Sequence, residues 1–414
     1  MTYWAKLLYD GQLSQRVTIE VSAGQLTSIT ADTEPPPGAT RLGFVTAGIA
    51  NAHSHAFHRL LRGQTHAGGG DFWQWRQAMY ASAATLTPEA LYQVAQALYA
   101  EMLQAGYTAV GEFHYLHHQP DGLPYPDHEM ERALAQAAQD VGIRLLLLDT
   151  CYLHGGIGQA LAGAQLRFGD GSAEGYLERH LRLTAALEEP LVRVGAAIHS
   201  VRAVEPTEMA EVAAEVPGPL HIHLSEQPAE NQECLEVYGR SPTQLLAEQG
   251  LLSRRLAVVH ATQLADGDIA TLGEAGVTAV FCPSTEADLG DGIGPAKALA
   301  AAGVSLAIGS DEHAVVDALG ELRALEYGQR LASGQRGRFT PAALWQIGSA
   351  NGYRSLGLGA PLTVGGPADF IEIDLTTPRT HGADPLQTVM VATAADVTAT
   401  VVAGQLVHDR KERR

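Results

Sequence analysis

Short runs of apolar residues recur along the middle of the chain, and a segment with helical spacing of apolar residues follows each of them. The eight runs occupy residues 44–50, 108–113, 144–153, 193–198, 219–224, 256–261, 277–282 and 305–310. Residues 88–106, which begin with Pro88, and residues 266–276, which end with Gly276, are typical of the predicted helices. Eight strand–helix units in series predict an α/β fold, a (β/α)8 TIM barrel, although an open doubly wound sheet uses the same elements.

Both ends of the chain have a different pattern. Residues 1–46 and 362–414 contain short stretches in which apolar and polar residues alternate, separated by glycines and prolines. Because the two ends are alike, they can pair in one unit. We therefore predict a small flanking β-sandwich domain built from residues 1–46 plus 362–414, and a barrel domain over residues 47–361.

Composition excludes several classes of protein. The 414 residues are 46% hydrophobic and 18% charged, which is enough apolar material for a large packed core. No apolar run approaches the ~20 residues that span a bilayer, and the first residues lack the pattern of a signal peptide. These features predict a cytoplasmic protein. The net charge of −19 argues against nucleic acid and anionic membranes as partners.

Histidine and aspartate follow four of the eight runs, where a barrel places its chemistry. His53 and His55 follow the first run, and their spacing places both side chains on the same side of a strand. His223 and His260 lie at the ends of the fifth and sixth runs, and Asp311 directly follows the eighth. Imidazole and carboxylate groups suit zinc or a similar divalent ion. The three cysteines show no CxxC spacing, so a cysteine-based site is not indicated.

This ordered set of residues resembles the amidohydrolase superfamily, and the resemblance covers nearly the whole chain. It implies that His53, His55, His223 and Asp311 hold a metal and that His260 assists catalysis. Some members hold two metals bridged by a lysine on the fourth strand. Here the fourth run contains no lysine, so we expect one divalent ion per chain, Zn²⁺ first, with Fe²⁺ or Mn²⁺ as alternatives.

The spacing His223-x-x-Glu226 resembles the deaminases and iminohydrolases of the superfamily, in which this glutamate carries protons between water and the leaving nitrogen. Glu226, His260 and Asp311 are then the catalytic residues. Local stretches resemble the iminohydrolases that act on N-formimino-L-glutamate: residues 53–59, 71–80, 111–118, 198–204, 221–227 and 281–292. The resemblance implies hydrolysis of that small dianionic substrate to N-formyl-L-glutamate and ammonia, in histidine degradation, by a homodimer.

A substrate with two carboxylates requires cations in the pocket of this acidic protein, and the planar fork of arginine grips carboxylates well. By the same resemblance, His199 lies near the formimino group, and Arg202, Tyr115 and Arg76 bind the carboxylates. The family usually has glutamine where this chain has His58, which is also expected to contact the substrate. That replacement leaves the preference for glutamate over aspartate open.

Alternatives remain at this point. The nearest is another superfamily member, either a nucleobase or guanidine-type deaminase or an imidazolonepropionase. An aromatic base would favour stacking side chains over paired arginines, whereas Trp73 and Trp75 are predicted to pack in a loop. A different class of protein would be a non-catalytic scaffold that has lost its metal, but all four expected ligands are present.

Overall fold

Strands and helices alternate through most of the computed structural model, which describes residues 1–66 and 72–410. The stretch 71–80 therefore begins, and the predicted small domain ends, outside the described residues. In chain order the strands are β1 (Thr2–Tyr9), β2 (Leu13–Ser22), β3 (Gln25–Thr30), β4 (Thr40–Ala47), β5 (Ile49–Ser54), β6 (Tyr107–His114), β7 (Arg144–Cys151), β8 (Val192–Ile198), β9 (Leu220–Leu224), β10 (Leu256–His260), β11 (Thr278–Phe281), β12 (Ser305–Ile308), β13 (Phe370–Ile373), β14 (Val397–Val402) and β15 (Gln405–Asp409).

Helices occupy most of the connections between these strands. In chain order they are α1 (Phe72–Thr85), α2 (Pro88–Gln104), α3 (Glu129–Val141), α4 (Ala173–Ala186), α5 (Pro206–Glu215), α6 (Pro228–Tyr238), α7 (Pro242–Glu248), α8 (Asp268–Ala275), α9 (Pro283–Asp288), α10 (Ala296–Ala301), α11 (Ala318–Ser333), α12 (Pro341–Gln346) and α13 (Gly352–Ser355). Among the described residues, no helix is long and apolar enough to cross a membrane.

Strands β5 to β12 form one parallel sheet in which each strand pairs with the next along the chain. The first and last strands also meet, because the carbonyl oxygen of His53 accepts hydrogen bonds from the backbone amides of Ser310 (3.2 Å) and Asp311 (3.0 Å). The sheet is thus a closed barrel, with helices in the connections. The predicted TIM barrel is confirmed over the open-sheet alternative.

The first apolar run does not form a single barrel strand, so the prediction for residues 44–50 is wrong. Residues 44–47 belong to β4 of the other sheet, and the barrel strand β5 begins at Ile49. Gly48 lies between them, where an added Cβ would lie 2.1 Å from Thr108 Oγ1. Only glycine allows this close approach to β6. Both strands are largely buried, so the apolar run continues across the change of sheet.

The two chain ends form a separate seven-stranded sheet in the order β15-β14-β13-β4-β1-β2-β3. Tyr3 pairs beside Thr40 at one end of β4, and Phe370 beside Ala47 at the other. Seven residues of strand span about 23 Å, yet the rings of Tyr3 and Phe370 are 5.0 Å apart. The sheet therefore folds over on itself, which produces the predicted sandwich-like packing. The domain boundaries at 46/47 and 361/362 stay a prediction.

Helix ends follow local sequence signals. Helix α2 begins at Pro88 after Thr87, whose side chain accepts a hydrogen bond from the amide of Ala90. Helix α8 ends before Gly276, which adopts a φ of 66°. Both helices are slightly shorter than the predicted ranges 88–106 and 266–276. The C-cap of α2, Ala105, and both caps of α8, Gly267 and Gly276, lie inside those ranges.

A buried ion cluster fastens the outer helices to the barrel. Arg179 on α4 donates to Asp149 of β7 (2.6 Å) and to Asp170 (2.7 Å), and it lies 3.6 Å from Glu131 of α3. Its guanidinium is the cation that these carboxylates share, and burial penalises any carboxylate left without it. His117 also donates to Glu131 (2.7 Å).

Removing this cation should strongly destabilise the protein. We expect Arg179→Met to lower the free energy of unfolding by about 3–5 kcal/mol, because it removes the guanidinium that three buried carboxylates share. Denaturant unfolding followed by circular dichroism measures the change. Arg182→Met is the matched control on the same helix. The Arg182 side chain is 65% exposed and its one ion pair in the described part of the chain is with the exposed Glu178, so the effect should stay within about 1 kcal/mol. Equal effects would contradict the assignment.

Candidate active site

Four of the predicted residues converge at the carboxyl ends of the barrel strands. His53 lies in β5 and His55 one residue beyond it, while His223 lies in β9 and Asp311 follows β12. His223 Nε2 is 3.1 Å from His53 Nε2 and 3.3 Å from His55 Nε2. Asp311 Oδ1 is 3.5 Å from the Nε2 atoms of both His53 and His55. Four potential ligand atoms therefore face one small volume.

The protonation pattern of this group fits a cation. The Nδ1 atoms of His55 and His223 lie 2.6 Å and 3.0 Å from the carbonyl oxygens of Phe113 and His199. A carbonyl accepts a hydrogen bond only from a protonated nitrogen, so in the neutral ring each Nε2 carries a lone pair. Burial lowers the pKa values of His53, His55 and His223, which keeps the rings neutral. Converging lone pairs and one carboxylate suit a divalent ion.

His260 and Glu226 flank this group. His260 Nε2 lies 3.6 Å from Glu226 Oε1 and 3.8 Å from Asp311 Oδ2. Burial raises the pKa of Glu226, although His260 opposes the shift. Burial alone would lower the pKa of His260, but Glu226, Glu286 and Asp311 raise it to about 10. An imidazolium beside a carboxyl of raised pKa can donate a proton and return it, as acid–base catalysis requires.

Strained backbone marks the same strand ends. Ser225, His260 and Asp311 have φ values of 49°, 69° and 44°, in the left-handed region. This region costs non-glycine residues on the order of 1 kcal/mol or more each, and such residues cluster at functional sites. The turn at Ser225 directs the chain out of β9, where Glu226 comes to lie beside His260.

Two arginines line the same cavity as the metal-binding candidates. Arg202 donates through Nε to Glu230 (3.0 Å), and Arg76 donates through Nε to the hydroxyl of Tyr80 (2.7 Å). Within residues 1–66 and 72–410, the terminal nitrogens of both arginines have no hydrogen-bond or ion-pair partner. Each guanidinium therefore keeps two donor nitrogens for a ligand. His199 lines the cavity too, and burial and these two arginines lower its pKa.

Tyr115 and His58 complete the predicted set. Tyr115 Oη and His58 Nε2 share a hydrogen bond of 2.9 Å, and both side chains are buried at the cavity wall. His58 Nδ1 has no hydrogen-bond partner in the described part of the chain. The predicted site residues other than His53 thus line one cavity. His53 lies fully buried behind its wall, with its Nε2 3.1 Å from that of His223.

Several residues of the cavity wall were missed from the sequence. Tyr80 and Tyr152 line the cavity, and the Tyr152 ring lies 4.3 Å from that of His199. Trp75 lies on α1 and also lines the cavity, whereas it was predicted to pack in a loop. Glu286 lies behind His260, with Oε1 3.5 Å from its Nδ1. The available signal for Trp75, Tyr80 and Glu286 was their position within the stretches 71–80 and 281–292, whereas Tyr152 lies in the third apolar run, 144–153.

Comparison with known proteins gives a consistent result. Residues 44–407 match the model of the amidohydrolase family. The chain is 41% identical to formimidoylglutamate deiminase of Pseudomonas aeruginosa over 389 residues, which cover 90% of this chain and 85% of that protein. It is 30% identical to 5-methylthioadenosine/S-adenosylhomocysteine deaminase of Syntrophobacter fumaroxidans over 385 residues, covering 89% and 81%. A crystal structure of an amidohydrolase from Brucella melitensis superposes with a TM-score of 0.92 at 35% identity, covering 99% of this chain and 94% of that one.

Proposed function

The chain belongs to the amidohydrolase family, and from this we propose that it is a metal-dependent hydrolase that converts N-formimino-L-glutamate and water to N-formyl-L-glutamate and ammonia. One observation carries the proposal: the cavity at the histidine–aspartate group and Glu226 is also lined by two arginines whose terminal nitrogens have no hydrogen-bond partner among residues 1–66 and 72–410. The substrate has matching parts, an amidine that is hydrolysed and two carboxylates. The 41% identity to a formimidoylglutamate deiminase supports the same assignment.

We assign one divalent ion to His53, His55, His223 and Asp311, with zinc as the first candidate. The three converging Nε2 atoms and the single carboxylate support this ligand set. A bound ion supplies Lewis acidity and lowers the pKa of water, which provides a nucleophile near neutral pH. The fourth barrel strand β8 contains no lysine, which supports one ion rather than a bridged pair.

The protein side chains then handle protons and orientation. Asp311 Oδ2 accepts a proton from the attacking water, and His260 Nε2 donates a hydrogen bond to the oxygen as it gains charge. The new C–O bond gives a tetrahedral carbon that bears two nitrogens. Glu226 transfers a proton to the terminal nitrogen, the C–N bond breaks, and ammonia leaves with the electron pair. The hydroxyl on the carbon gives its proton to Glu226 as the C=O bond forms. The formamide and ammonia together contain every atom of the amidine and water.

The distribution of charge favours this substrate over a nucleobase. Glu226, beside His260, suits a cationic amidinium, and Arg76 and Arg202 suit carboxylates. A purine or pyrimidine offers no carboxylate to pair with the partly buried guanidiniums of Arg76 and Arg202, which would then lose hydration without compensation. Identity to an adenosine-type deaminase is also lower, at 30%.

The setting of the reaction is part of the proposal. We propose that the enzyme works in the cytoplasm, in histidine degradation, as a homodimer and without a nucleic acid partner. The net charge of −19 supports the last point. The prevalence of two-fold symmetric assemblies among soluble oligomers supports the dimer.

An ammonia-release assay on purified protein tests the function. We expect turnover of N-formimino-L-glutamate, weaker turnover of N-formimino compounds that lack one carboxylate, and none of 5-methylthioadenosine. Release of ammonia from the nucleoside but not from N-formimino-L-glutamate would overturn the proposal.

Arg202 provides a test of substrate identity. We expect Arg202→Ala to keep its metal and to lower kcat/KM about tenfold to a hundredfold, the loss typical of a hydrogen bond to a charged group. Arg202→Lys should recover only part of the loss, because an ammonium lacks the planar fork. Kinetics on analogues without the α- or side-chain carboxylate should show that the variant no longer discriminates against one of them.

A control variant separates binding from stability. Arg330 pairs with the buried Glu326 through its Nε (2.7 Å), as Arg202 does with Glu230, but it lies outside the cavity. Arg330→Ala should leave the discrimination between analogues unchanged. Equal losses of Arg202→Ala on all analogues would make Arg202 a structural residue.

A further inference from the structure

Glu230 is a buried carboxylate whose two oxygens serve two different parts of the active site. It is the third residue of α6, and its side chain is 1% exposed. Oε2 accepts the hydrogen bond from Arg202 Nε (3.0 Å), and Oε1 accepts one from the backbone amide of Ser225 (3.0 Å). Arg202 faces the cavity, and Ser225 directly precedes Glu226.

The bond to Arg202 determines which edge of the guanidinium remains free. With Nε directed at Glu230, the two terminal nitrogens remain unpaired within the described residues, and Arg202 lines the cavity. Two parallel N–H donors match the two oxygens of a carboxylate. The negative charge of Glu230 also offsets the desolvation of a guanidinium whose side chain is only 11% exposed.

The bond to Ser225 stabilises a strained turn. Ser225 has a φ of 49°, which a non-glycine residue rarely adopts without support. Its amide would have no acceptor in a buried position if Glu230 were absent, because β9 ends at Leu224. The direction of the chain at Ser225 in turn places Glu226 next to His260.

We propose that Glu230 is a positioning residue that couples binding of the substrate carboxylate by Arg202 to the placement of the proton-transferring Glu226. One carboxylate orients Arg202 for binding and holds the turn that presents Glu226. Glu230 is not among the residues that line the cavity, so it acts through Arg202 and Glu226. Its loss should therefore affect KM through Arg202 and kcat through Glu226, as two separable effects.

A double-mutant cycle with Arg202 tests this role. Glu230→Gln keeps the shape of the side chain. Its amide nitrogen must then face either Arg202 Nε or the backbone amide of Ser225, both of which are donors, so one of the two hydrogen bonds is lost. In the wild-type background we expect KM to rise about tenfold or more and kcat to fall as well. In the Arg202→Ala background, the same change should alter KM by less than about twofold, while the fall in kcat persists. An equal rise of KM in both backgrounds, or an unchanged kcat, overturns the proposal.

A matched control shows whether the effects are specific. Glu326 is also fully buried and accepts hydrogen bonds from an arginine Nε (Arg330, 2.7 Å) and from a backbone amide (Phe339, 2.7 Å), outside the cavity. Glu326→Gln should lower stability without coupling to Arg202 in KM. If Glu230→Gln fails to fold, Glu230→Asp keeps the charge but cannot reach both donors, and it enters the same cycle with smaller changes in the same directions.

The role of Glu230 rests on the proposed function, since it assumes that Arg202 binds a substrate carboxylate. The two can fail separately. Wild-type protein that releases no ammonia from N-formimino-L-glutamate contradicts the proposed function. Normal wild-type turnover together with an equal rise of KM in both backgrounds, or with an unchanged kcat, contradicts only the role of Glu230.

Discussion

Glu226→Gln is expected to lower kcat by about 10²–10⁴-fold, the contribution typical of a general acid–base group, while the protein keeps its metal. The amide fills the same space but cannot carry a proton from water to the leaving nitrogen. Because Glu226 lies beside His260 rather than among the converging Nε2 atoms, metal binding should not depend on it. Steady-state kinetics and elemental analysis of the same preparation measure both properties.

Two outcomes would contradict this role of Glu226. A variant within a few-fold of wild type would show that another group carries the proton. A variant that binds no metal would make Glu226 a ligand. Glu248→Gln serves as a control for the chemical change itself, because Glu248 is a surface residue paired with Arg240 and its side chain is 49% exposed.

His55→Ala is expected to abolish both metal binding and turnover. Loss of a residue that only hydrogen-bonds to a metal ligand typically reduces metal affinity about 10–100-fold. Loss of a ligand itself should reduce the affinity further. Wild-type protein should contain about one ion per chain, since a single set of four ligands is complete, and chelation should remove activity that added Zn²⁺ restores. Elemental analysis before and after chelation gives the stoichiometry.

His221→Ala is the matched control for the metal ligand. His221 precedes His223 by two residues on β9 and is equally buried, but its Nε2 lies 2.9 Å from the carbonyl oxygen of Ser355. The metal content per folded chain should therefore stay near one. Full activity of His55→Ala after chelation would refute the ligand assignment, and two ions per chain in active wild-type protein would refute the single site.

The sequence alone was sufficient to predict the barrel and its reactive groups. Eight apolar runs predicted the strands, because a parallel barrel strand is buried on both faces and shows up as a continuous apolar run. Histidine and aspartate at the ends of four runs predicted the reactive groups. Polar residues directly after buried strands lie at the face where such barrels place their chemistry. Local caps, such as Thr87 before α2, likewise act within a few residues.

Only the tertiary structure decided which residues surround those groups. The apolar run over 44–50 gave no sign that the chain changes sheets at Gly48, since residues on both sides are buried and the constraint is the approach of Thr108. Glu230, Tyr80 and Tyr152 likewise had no periodic signal. Their partners are separated from them by 28 residues for Glu230 and Arg202, and by 85 for Tyr80 and Gln165. Contacts over such separations depend on how the whole barrel closes, and local propensity does not encode them.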